Sequence, residues 1–234
     1  WDQITNQAAK LRYMSGGQVK VPLTIRGQQG AGTREAAQHS QQLEATFGHI
    51  PGLKVVMPAT VEDAKGLLKS AIRDDNPVIF CEHRLLYEIK GPMPEDEYTT
   101  PLGVAKVQRE GDDITVVATS NAVQKALKAA ENLEDSVSVE VVDPRTVVPL
   151  DMDTILESVH KTGRLLVVHE APVRMGFGAE VVRRVSEEAF DALDAPPKVL
   201  GGVSVPMPYS PDLEDACIPD VSQIETAITD VLES

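Results

Sequence analysis

The sequence contains few cysteines, few aromatic residues and no long apolar run. Of its 234 residues, two are cysteines, Cys81 and Cys217, which lie far apart and outside any CxxC motif. This spacing argues against a disulfide framework and against a thiolate metal cluster. No apolar run reaches the ~18 residues of a membrane-spanning helix, so we expect no membrane partner. Lys and Arg number 22 against 36 Asp and Glu, and the net charge of −14 makes nucleic acid an unfavourable partner.

Short apolar strands alternate with amphipathic helices in the first half of the chain. Residues 2–14 have helical spacing that ends at Gly16, and the pattern from Thr60 to about residue 72 predicts a second amphipathic helix with an N-cap. Further elements are predicted as strands over 19–25, 53–57 and 78–81 and a helix over 41–48 capped by Ser40. Such an alternation with short connections indicates an α/β fold built on a parallel sheet.

Residues 91–102 are rich in proline and acids and lack periodicity, which is typical of a linker. Beyond them the alternation restarts. Strands are predicted over 114–118, 137–142, 165–169 and 198–201, and helices over 121–132, 151–160, 178–190 and 221–232. We therefore predict two parallel-sheet α/β domains, with a boundary in the linker.

The glycine-rich segment 27–40 is the first candidate site, because ligands gather at the carboxyl ends of parallel strands. It contains His39, which the predicted pattern places directly before a helix. The positive end of that helix would favour the neutral imidazole and lower its pKa, which suits proton transfer. The alternative is a solvated loop histidine beside a capping serine. His83 has no second ligand or base at a telling spacing, so we expect a structural role for it.

A second candidate is the turn that follows the helix ending near residue 73. The last carbonyls of a helix have no partner within it, so Ala71 and Ile72 could present oxygens to a cation. Asp74 and Asn76 would add further oxygens, and an all-oxygen site suits a hard cation. The alternative is an ordinary turn rich in Asp, Asn and Pro.

Several runs spread over the chain resemble one family when they are taken together. These runs are YMSGGQVKVPLTIRG (13–27), AAQHSQ (36–41), HIPGLKVVMPAT (49–60), DAKGLLKSAIRDDNPVIFCE (63–82) and VPMPYSPDLEDACIPD (205–220). They resemble the beta subunits of the thiamine-diphosphate-dependent 2-oxo acid dehydrogenases, above all those that act on pyruvate. The resemblance covers essentially the whole chain in the same order.

The resemblance implies a partial transketolase-like pyrimidine-binding domain over 1–92 and a transketolase C-terminal domain over 103–234. It implies that thiamine diphosphate binds between the first domain and an alpha subunit that also holds magnesium. The implied partners are that alpha subunit in an alpha2-beta2 heterotetramer, a second beta subunit and a lipoyl acyltransferase core. His39 of the QHSQ motif would contact substrate and support acyl transfer. A potassium site is implied at Leu23, Ala71, Ile72, Asp74 and Asn76.

The sequence departs from the family pattern in two places. Family members have a further N-terminal segment with the glutamate that activates the coenzyme, and no residue here matches that glutamate. We therefore expect an N-terminally truncated chain that is inactive alone. Residues 27–30 read GQQG where pyruvate enzymes commonly read GPNG, so the substrate is open. The QHSQ run favours pyruvate over branched-chain 2-oxo acids.

Two alternatives to a pyruvate dehydrogenase subunit stay open. One is a beta subunit acting on acetoin or on branched-chain 2-oxo acids, and the other is a non-catalytic assembly module. The expected location is the bacterial cytoplasm, or the mitochondrial matrix if the source is eukaryotic.

Overall fold

Strands and helices alternate along the whole chain, and the computed structural model describes residues 1–234. The strands are β1 (Thr24–Gln29), β2 (Lys54–Val56), β3 (Val78–His83), β4 (Lys106–Arg109), β5 (Ile114–Ala118), β6 (Val139–Asp143), β7 (Thr146–Val148), β8 (Leu165–Pro172) and β9 (Lys198–Gly202). The helices are α1 (Ala9–Met14), α2 (Ala36–His39), α3 (Glu44–Gly48), α4 (Val61–Ile72), α5 (Asn121–Asn132), α6 (Met152–Thr162), α7 (Phe177–Glu188), α8 (Pro211–Asp215) and α9 (Val221–Leu232). A π-helical segment, Gln3–Ala8, precedes α1, and short 3₁₀ helices occupy Arg84–Glu88 and Phe190–Ala192. This architecture confirms the α/β class.

The first sheet has four strands in the order β1-β3-β2-β7. β1 runs parallel to β3, with Thr24 opposite Val78 and Gln29 opposite His83. β2 lies parallel on the other side of β3, and β7 adds to β2 in the antiparallel direction. The carboxyl ends of β1 and β3 therefore lie side by side at one end of this sheet.

The second sheet has five strands in the order β4-β6-β5-β8-β9. The four strands β6, β5, β8 and β9 are parallel, whereas β4 is antiparallel to β6. Because side chains alternate between the two faces of a strand, Val116 and Val117 of β5 belong to different core clusters. One cluster packs against α5 and α9 and the other against α6 and α7, so both faces of the sheet are covered.

The first sheet is covered on both faces by smaller clusters. Ile79 and Cys81 pack with the N-terminal helical segment and α3, whereas Val78 and Phe80 pack with Leu67 of α4. The helix α4 begins where the sequence predicts, because the hydroxyl of Thr60 accepts the backbone N–H of Asp63. None of the helices combines the length and apolarity required to cross a membrane.

The structure corrects two local predictions in the first half. The strand predicted over 19–25 lies at Thr24–Gln29, so Gly27 is in a strand and not in a loop. Pairing with β3 over six residues outweighs the intrinsic preference of this glycine-containing segment. The helix predicted over 41–48 is shorter, Glu44–Gly48, and a separate short helix, Ala36–His39, precedes it.

The predicted parallel sheets are present, and each has one short antiparallel strand at its edge, β7 in the first sheet and β4 in the second. β7 follows the predicted linker in sequence and yet pairs with β2 of the first sheet. Both strands are only three or four residues long, which is too short for a clear periodic signal. The domain division between 1–92 and 103–234 stays a prediction.

Candidate active site

Residues 30–43 form a loop, here called the His39 loop, which connects β1 to α3 and contains the short helix α2. It begins directly after Gln29, the last residue of β1, which lies opposite His83 at the end of β3. The loop therefore starts at the carboxyl ends of two parallel strands, where α/β proteins usually bind their ligands.

Four residues of the His39 loop have left-handed backbone conformations. Their φ angles are 97° at Gly30, 101° at Gly32, 60° at Arg34 and 59° at Ala36. A Cβ atom on Gly30 would lie 2.3 Å from Nε2 of His83, so only glycine allows the loop to lie directly on this ring. For a residue with a Cβ, the left-handed conformation costs about 1–3 kcal/mol, which surrounding contacts must offset.

Glu170 of β8 contacts both ends of the His39 loop. Its Oε1 atom accepts hydrogen bonds from the backbone N–H of Ala31 at 2.6 Å and from Nε2 of Gln42 at 2.9 Å. Its Oε2 atom lies 2.9 Å from Nε2 of His83. This buried carboxylate thus joins the second sheet to the loop and to the first sheet.

The hydrogen bonds of His83 define where its proton lies. The backbone N–H of Leu85 donates to Nδ1 of His83 at 3.2 Å, so Nδ1 is an acceptor and Nε2 carries the proton that is donated to Glu170. Burial alone would raise the pKa of Glu170, but the hydrogen bonds from His83, Ala31 and Gln42 hold it below its ordinary value. Glu170 is therefore an ionised acceptor at neutral pH.

Glu214 of α8 is a second carboxylate from the second half that contacts the His39 loop. It is fully buried. Its Oε1 atom accepts from the backbone N–H of Gly32 at 2.8 Å, and its Oε2 atom accepts from the backbone N–H of Arg34 at 3.1 Å and from Nη1 of Arg34 at 2.8 Å. The Arg34 guanidinium also binds both carboxylate oxygens of Asp215, at 2.6 and 2.9 Å. The first part of the loop is thus fixed to α8.

Glu44, the first residue of α3, is buried and its carboxyl oxygens have no hydrogen-bond partner. Burial, with a smaller contribution from the negative charge of Glu170, raises the pKa of Glu44 to about 7. This carboxyl therefore exchanges a proton in the neutral range.

His39 is the last residue of α2 and is exposed. The predicted position directly before a helix is wrong, because α3 begins five residues later, at Glu44. Ser40 does not cap α3 either; its hydroxyl is buried without a partner, and Leu43 occupies the N-cap position. The reason is the extra turn at α2, which moves the helix start along the chain. The argument from a helix dipole therefore does not apply to His39.

Two cavities border the His39 loop. One of about 320 Å³ lies between the loop and residues 202–207, and Ser40, Gln42 and Glu170 are among its lining residues. The other, about 930 Å³, lies between α3 and α7 and is also lined by Gln42. The loop therefore has space on more than one side for a bound molecule.

The residues of the predicted cation site lie close to one end of the first sheet. α4 ends at Ile72, and in the turn that follows, the backbone N–H and the side-chain amide of Asn76 donate to Oδ1 of Asp74 at 2.8 and 2.7 Å. The Leu23 carbonyl accepts from the N–H of Val78 at 2.8 Å, which places it beside this turn. Lys54 pairs with the Asp74 carboxylate. No group of three or more His, Cys, Asp or Glu side chains is arranged to hold a metal ion.

Comparisons with known proteins assign the chain to a family. The family model of the transketolase pyrimidine-binding domain matches residues 3–90, and that of the transketolase C-terminal domain matches residues 103–224. The chain is 49% identical over 231 residues to the pyruvate dehydrogenase E1 component subunit beta of Rickettsia bellii, covering 98% of this chain and 71% of that protein. The chain belongs to the beta subunits of the thiamine-diphosphate-dependent 2-oxo acid dehydrogenases.

Relatives of this beta subunit include proteins named for more than one substrate. The acetoin:2,6-dichlorophenolindophenol oxidoreductase subunit beta of Cupriavidus necator is 50% identical over 228 residues, covering 97% of this chain and 68% of that protein. The pyruvate dehydrogenase E1 component subunit beta of Rhizobium meliloti is 49% identical over 97% of this chain, which spans 50% of that longer protein. These relatives share the family and differ in the substrate for which they are named.

A solved structure described as a split-gene transketolase, an inactive beta4 tetramer, has the same fold as this beta subunit. The TM-score is 0.79, and the match covers 99% of this chain and 71% of that chain. At 24% sequence identity this similarity concerns the fold alone. It agrees with the transketolase-like architecture expected from the sequence.

Sequence reasoning missed the contacts that fix the His39 loop of this beta subunit. Glu170 directly follows the strand predicted over 165–169, and His83 follows the strand predicted over 78–81. Both lie near carboxyl ends of strands, so the rule that selected segment 27–40 could have selected them too. Glu214 had no such signal, because only the tertiary fold brings α8 to the loop.

Proposed function

We propose that this chain is the beta subunit of a pyruvate dehydrogenase that decarboxylates pyruvate oxidatively and transfers the acyl group to a lipoyl group. The observation that carries the proposal is the 49% identity to a pyruvate dehydrogenase beta subunit over 98% of the chain. The ordered His39 loop at the carboxyl ends of β1 and β3 supports it, because this is where the fold offers a ligand site.

His39 is the residue of this chain that we propose to contact the substrate. Its imidazole is exposed at the end of α2, whereas the loop on either side of it is tied down by buried carboxylates. An exposed imidazole on a fixed support can donate or accept a proton at neutral pH without a large rearrangement. We assign it the orientation of the substrate and the support of acyl transfer.

Thiamine diphosphate would supply the carbanion chemistry of decarboxylation when bound. The cavities of about 930 and 320 Å³ beside the His39 loop give this chain space for part of the coenzyme, and residues 3–90 match a pyrimidine-binding domain. The exposed surface around His39 leaves room for the alpha subunit, which we propose to hold the diphosphate and magnesium. The proposed contribution of this chain is therefore to position a proton-transferring side chain beside a shared site.

A second candidate function is acetoin cleavage by the same subunit type. It is favoured by the 50% identity to the acetoin oxidoreductase beta subunit. The identity to the pyruvate dehydrogenase beta subunit of Rickettsia bellii is nearly the same, 49%. The GQQG sequence at 27–30 lies in β1 and at the start of the His39 loop. This segment is one place where the two substrates could be distinguished.

The proposed partners are an alpha subunit and a second beta subunit in an alpha2-beta2 heterotetramer, and a lipoyl acyltransferase core. The relatives are named as beta subunits, which supports an assembly with other chains. Relatives occur in bacteria and, as in Caenorhabditis elegans, under a mitochondrial name, so the proposed location is the bacterial cytoplasm or the mitochondrial matrix.

A potassium ion at Leu23, Ala71, Ile72, Asp74 and Asn76 is a further part of the proposal. The donors available there are carbonyl oxygens at the end of α4 and in the following turn. Because Lys54 already pairs with the Asp74 carboxylate, little net negative charge is left for a divalent ion. This donor set suits a weakly charged, hard cation.

The test combines the subunit that carries this sequence with its alpha subunit and compares pyruvate, acetoin and a branched-chain 2-oxo acid at equal concentration. The proposal predicts the highest kcat/KM with pyruvate. A preference for acetoin would favour the second candidate function, and no turnover of any of the three would favour a non-catalytic assembly module.

A further inference from the structure

We propose that Glu170 and Glu214 are positioning residues that hold His39 at the active site from the second half of the chain. The inference rests on the proposed function, in which His39 contacts the substrate. Neither carboxylate contacts His39 itself. They act through backbone and side-chain donors on either side of it in the His39 loop.

Glu170 fixes the distance between the two ends of the loop. One oxygen atom, Oε1, accepts from the backbone of Ala31 and from the side chain of Gln42, and His39 lies between these two residues in sequence. The other oxygen atom is held by Nε2 of His83. The carboxylate therefore cannot turn away from the loop without breaking its bond to His83 as well.

Glu214 fixes the backbone conformation that leads to α2. Its two oxygen atoms accept hydrogen bonds from the backbone N–H groups of Gly32 and Arg34. Both residues have left-handed backbone conformations, and one residue lies between them. Arg34 and Ala36 are not glycines, and such residues keep a positive φ only where neighbouring contacts impose it. The bonds to Glu214 are contacts of that kind.

The negative charge of Glu170 and Glu214 suits the hydrogen-bond donors of the His39 loop. The loop offers only N–H donors to Glu170 and Glu214, and an ionised carboxylate is the side-chain group that accepts at both of its oxygens. In Glu170→Gln or Glu214→Gln, an NH₂ group would replace one acceptor and face a donor. The hydrogen bonds of Glu170 and Glu214 to the His39 loop are here called the clamp. Each amide variant therefore breaks part of the clamp while it keeps the side-chain volume.

The first experiment measures backbone amide hydrogen exchange in the His39 loop, which needs no activity and no coenzyme. Glu170→Gln should raise the exchange rate of the Ala31 amide, and Glu214→Gln that of Gly32 and Arg34, each by about tenfold or more. Glu188→Gln is the matched control, because Glu188 pairs with Arg184 on the surface of α7 and should leave the loop unchanged. Unchanged exchange in both clamp variants would overturn the proposal.

The second experiment measures kcat and KM with the alpha subunit present. If Glu170 acts through His39, Glu170→Gln should lower kcat by about 10- to 100-fold, and the Glu170→Gln, His39→Ala double variant should be no slower than His39→Ala alone. A double variant slower by the product of the two single effects would contradict a role through His39. Gln42→Ala, which removes one donor and leaves both carboxylates, should give a smaller loss of kcat and covers the case in which Glu170→Gln does not fold.

The two experiments separate this inference from the proposed function. One outcome is faster loop exchange in Glu170→Gln and Glu214→Gln together with full activity of His39→Ala. It would show that the two carboxylates hold the loop, but it would refute the role of His39 and therefore the positioning role. Unchanged loop exchange with an inactive His39→Ala variant would refute the clamp and keep the proposed function.

Discussion

Oε2 of Glu170 lies 2.9 Å from Nε2 of His83, and this hydrogen bond joins the end of β8 in the second sheet to the end of β3 in the first. Both residues are buried, with 9% and 1% of their surface exposed. Removal of the His83 donor would leave a buried carboxylate oxygen without its partner, which typically costs about 1–3 kcal/mol and more for a charged group. The two halves of the chain are therefore coupled directly beneath the His39 loop.

Gly30→Ala should lower the free energy of unfolding by about 2–5 kcal/mol. Alanine is strained at a φ of 97°, and its Cβ would lie 2.3 Å from Nε2 of His83. Urea unfolding measures the change. Gly27→Ala is the control, because a Cβ at Gly27 meets no atom within 4 Å and its φ is not positive. Equal stability of the two variants would show that the loop does not lie on the His83 ring.

Loss of the proton of Glu44 should make the protein less stable as the pH rises from about 5 to 7. The folded state holds the proton up to a pKa of about 7, whereas the unfolded glutamate releases it near its ordinary value of 4.5. The folded state binds more protons in this interval, so the free energy of unfolding falls with pH. The contribution is complete below pH 4.5, is lost through pH 7 and amounts to on the order of 3 kcal/mol.

Glu44→Gln should therefore flatten the dependence of stability on pH between 5 and 7 and make the protein more stable than the parent at pH 8. Chemical unfolding at several pH values checks this. Glu157→Gln, on the exposed face of α6, serves as the control and should retain the parent slope. A Glu44→Gln variant with the same slope as the parent would show that Glu44 does not titrate in this range.

Potassium should raise the melting temperature relative to a large organic cation at equal ionic strength. A ligand that binds only the folded state adds about 2.7 kcal/mol at 100 times its Kd. Asp74→Asn should reduce the response, because Asp74 organises the turn through its bonds to Asn76. Asp135→Asn, at an exposed position, should not. The same melting temperature in both salts would remove potassium from the proposal.

Residues 103–234 expressed alone should unfold cooperatively, whereas residues 1–92 alone should aggregate or stay partly unfolded. The second half contains nearly all of two core clusters of 18 and 12 buried residues, whereas the clusters of the first half have 6 and 5. The first half also loses β7, which pairs with β2. Thermal unfolding of both fragments checks the prediction. A sharp transition in the first fragment and a gradual one in the second would contradict the domain division.

The sequence predicts the second half of the fold more closely than the first. Strand 114–118 and helices 121–132 and 221–232 are predicted with the bounds that the structure has, because the strand is a short apolar run and the two helices repeat their apolar residues with a helical period. In the first half, the bounds of β1 depend on pairing with β3, which no local pattern encodes. The antiparallel strands β4 and β7 have only four and three residues, too few for a periodic signal in the sequence.

The candidate site shows a similar division between local and tertiary information. The QHSQ motif selects His39, but its place at the end of α2 depends on left-handed residues such as Arg34 and Ala36, whose conformations the sequence does not signal. Glu170 and Glu214 approach the loop from 139 and 182 residues away in sequence, at Ala31 and Gly32 respectively. Contacts of that separation follow from the packing of the two sheets and not from residue spacing.

His39→Ala in the assembled enzyme should lower the rate of acyl transfer to lipoyl by about 10²- to 10⁴-fold, the usual range for a positioned acid-base group. His160→Ala is the control, because His160 is exposed near the end of α6 and is not part of the His39 loop. Stopped-flow measurement of lipoyl acylation at saturating pyruvate separates this step from binding. Equal rates for the two variants would leave His39 as an ordinary loop residue.

Reconstitution of the alpha subunit with the beta subunit that carries this sequence tests the assignment most directly. The measurement is the rate of pyruvate-dependent lipoyl acylation with thiamine diphosphate, magnesium and potassium present, for each subunit alone and for the mixture. We predict turnover in the mixture and none with either subunit alone. A full rate with one subunit alone would contradict a site shared between the two subunits.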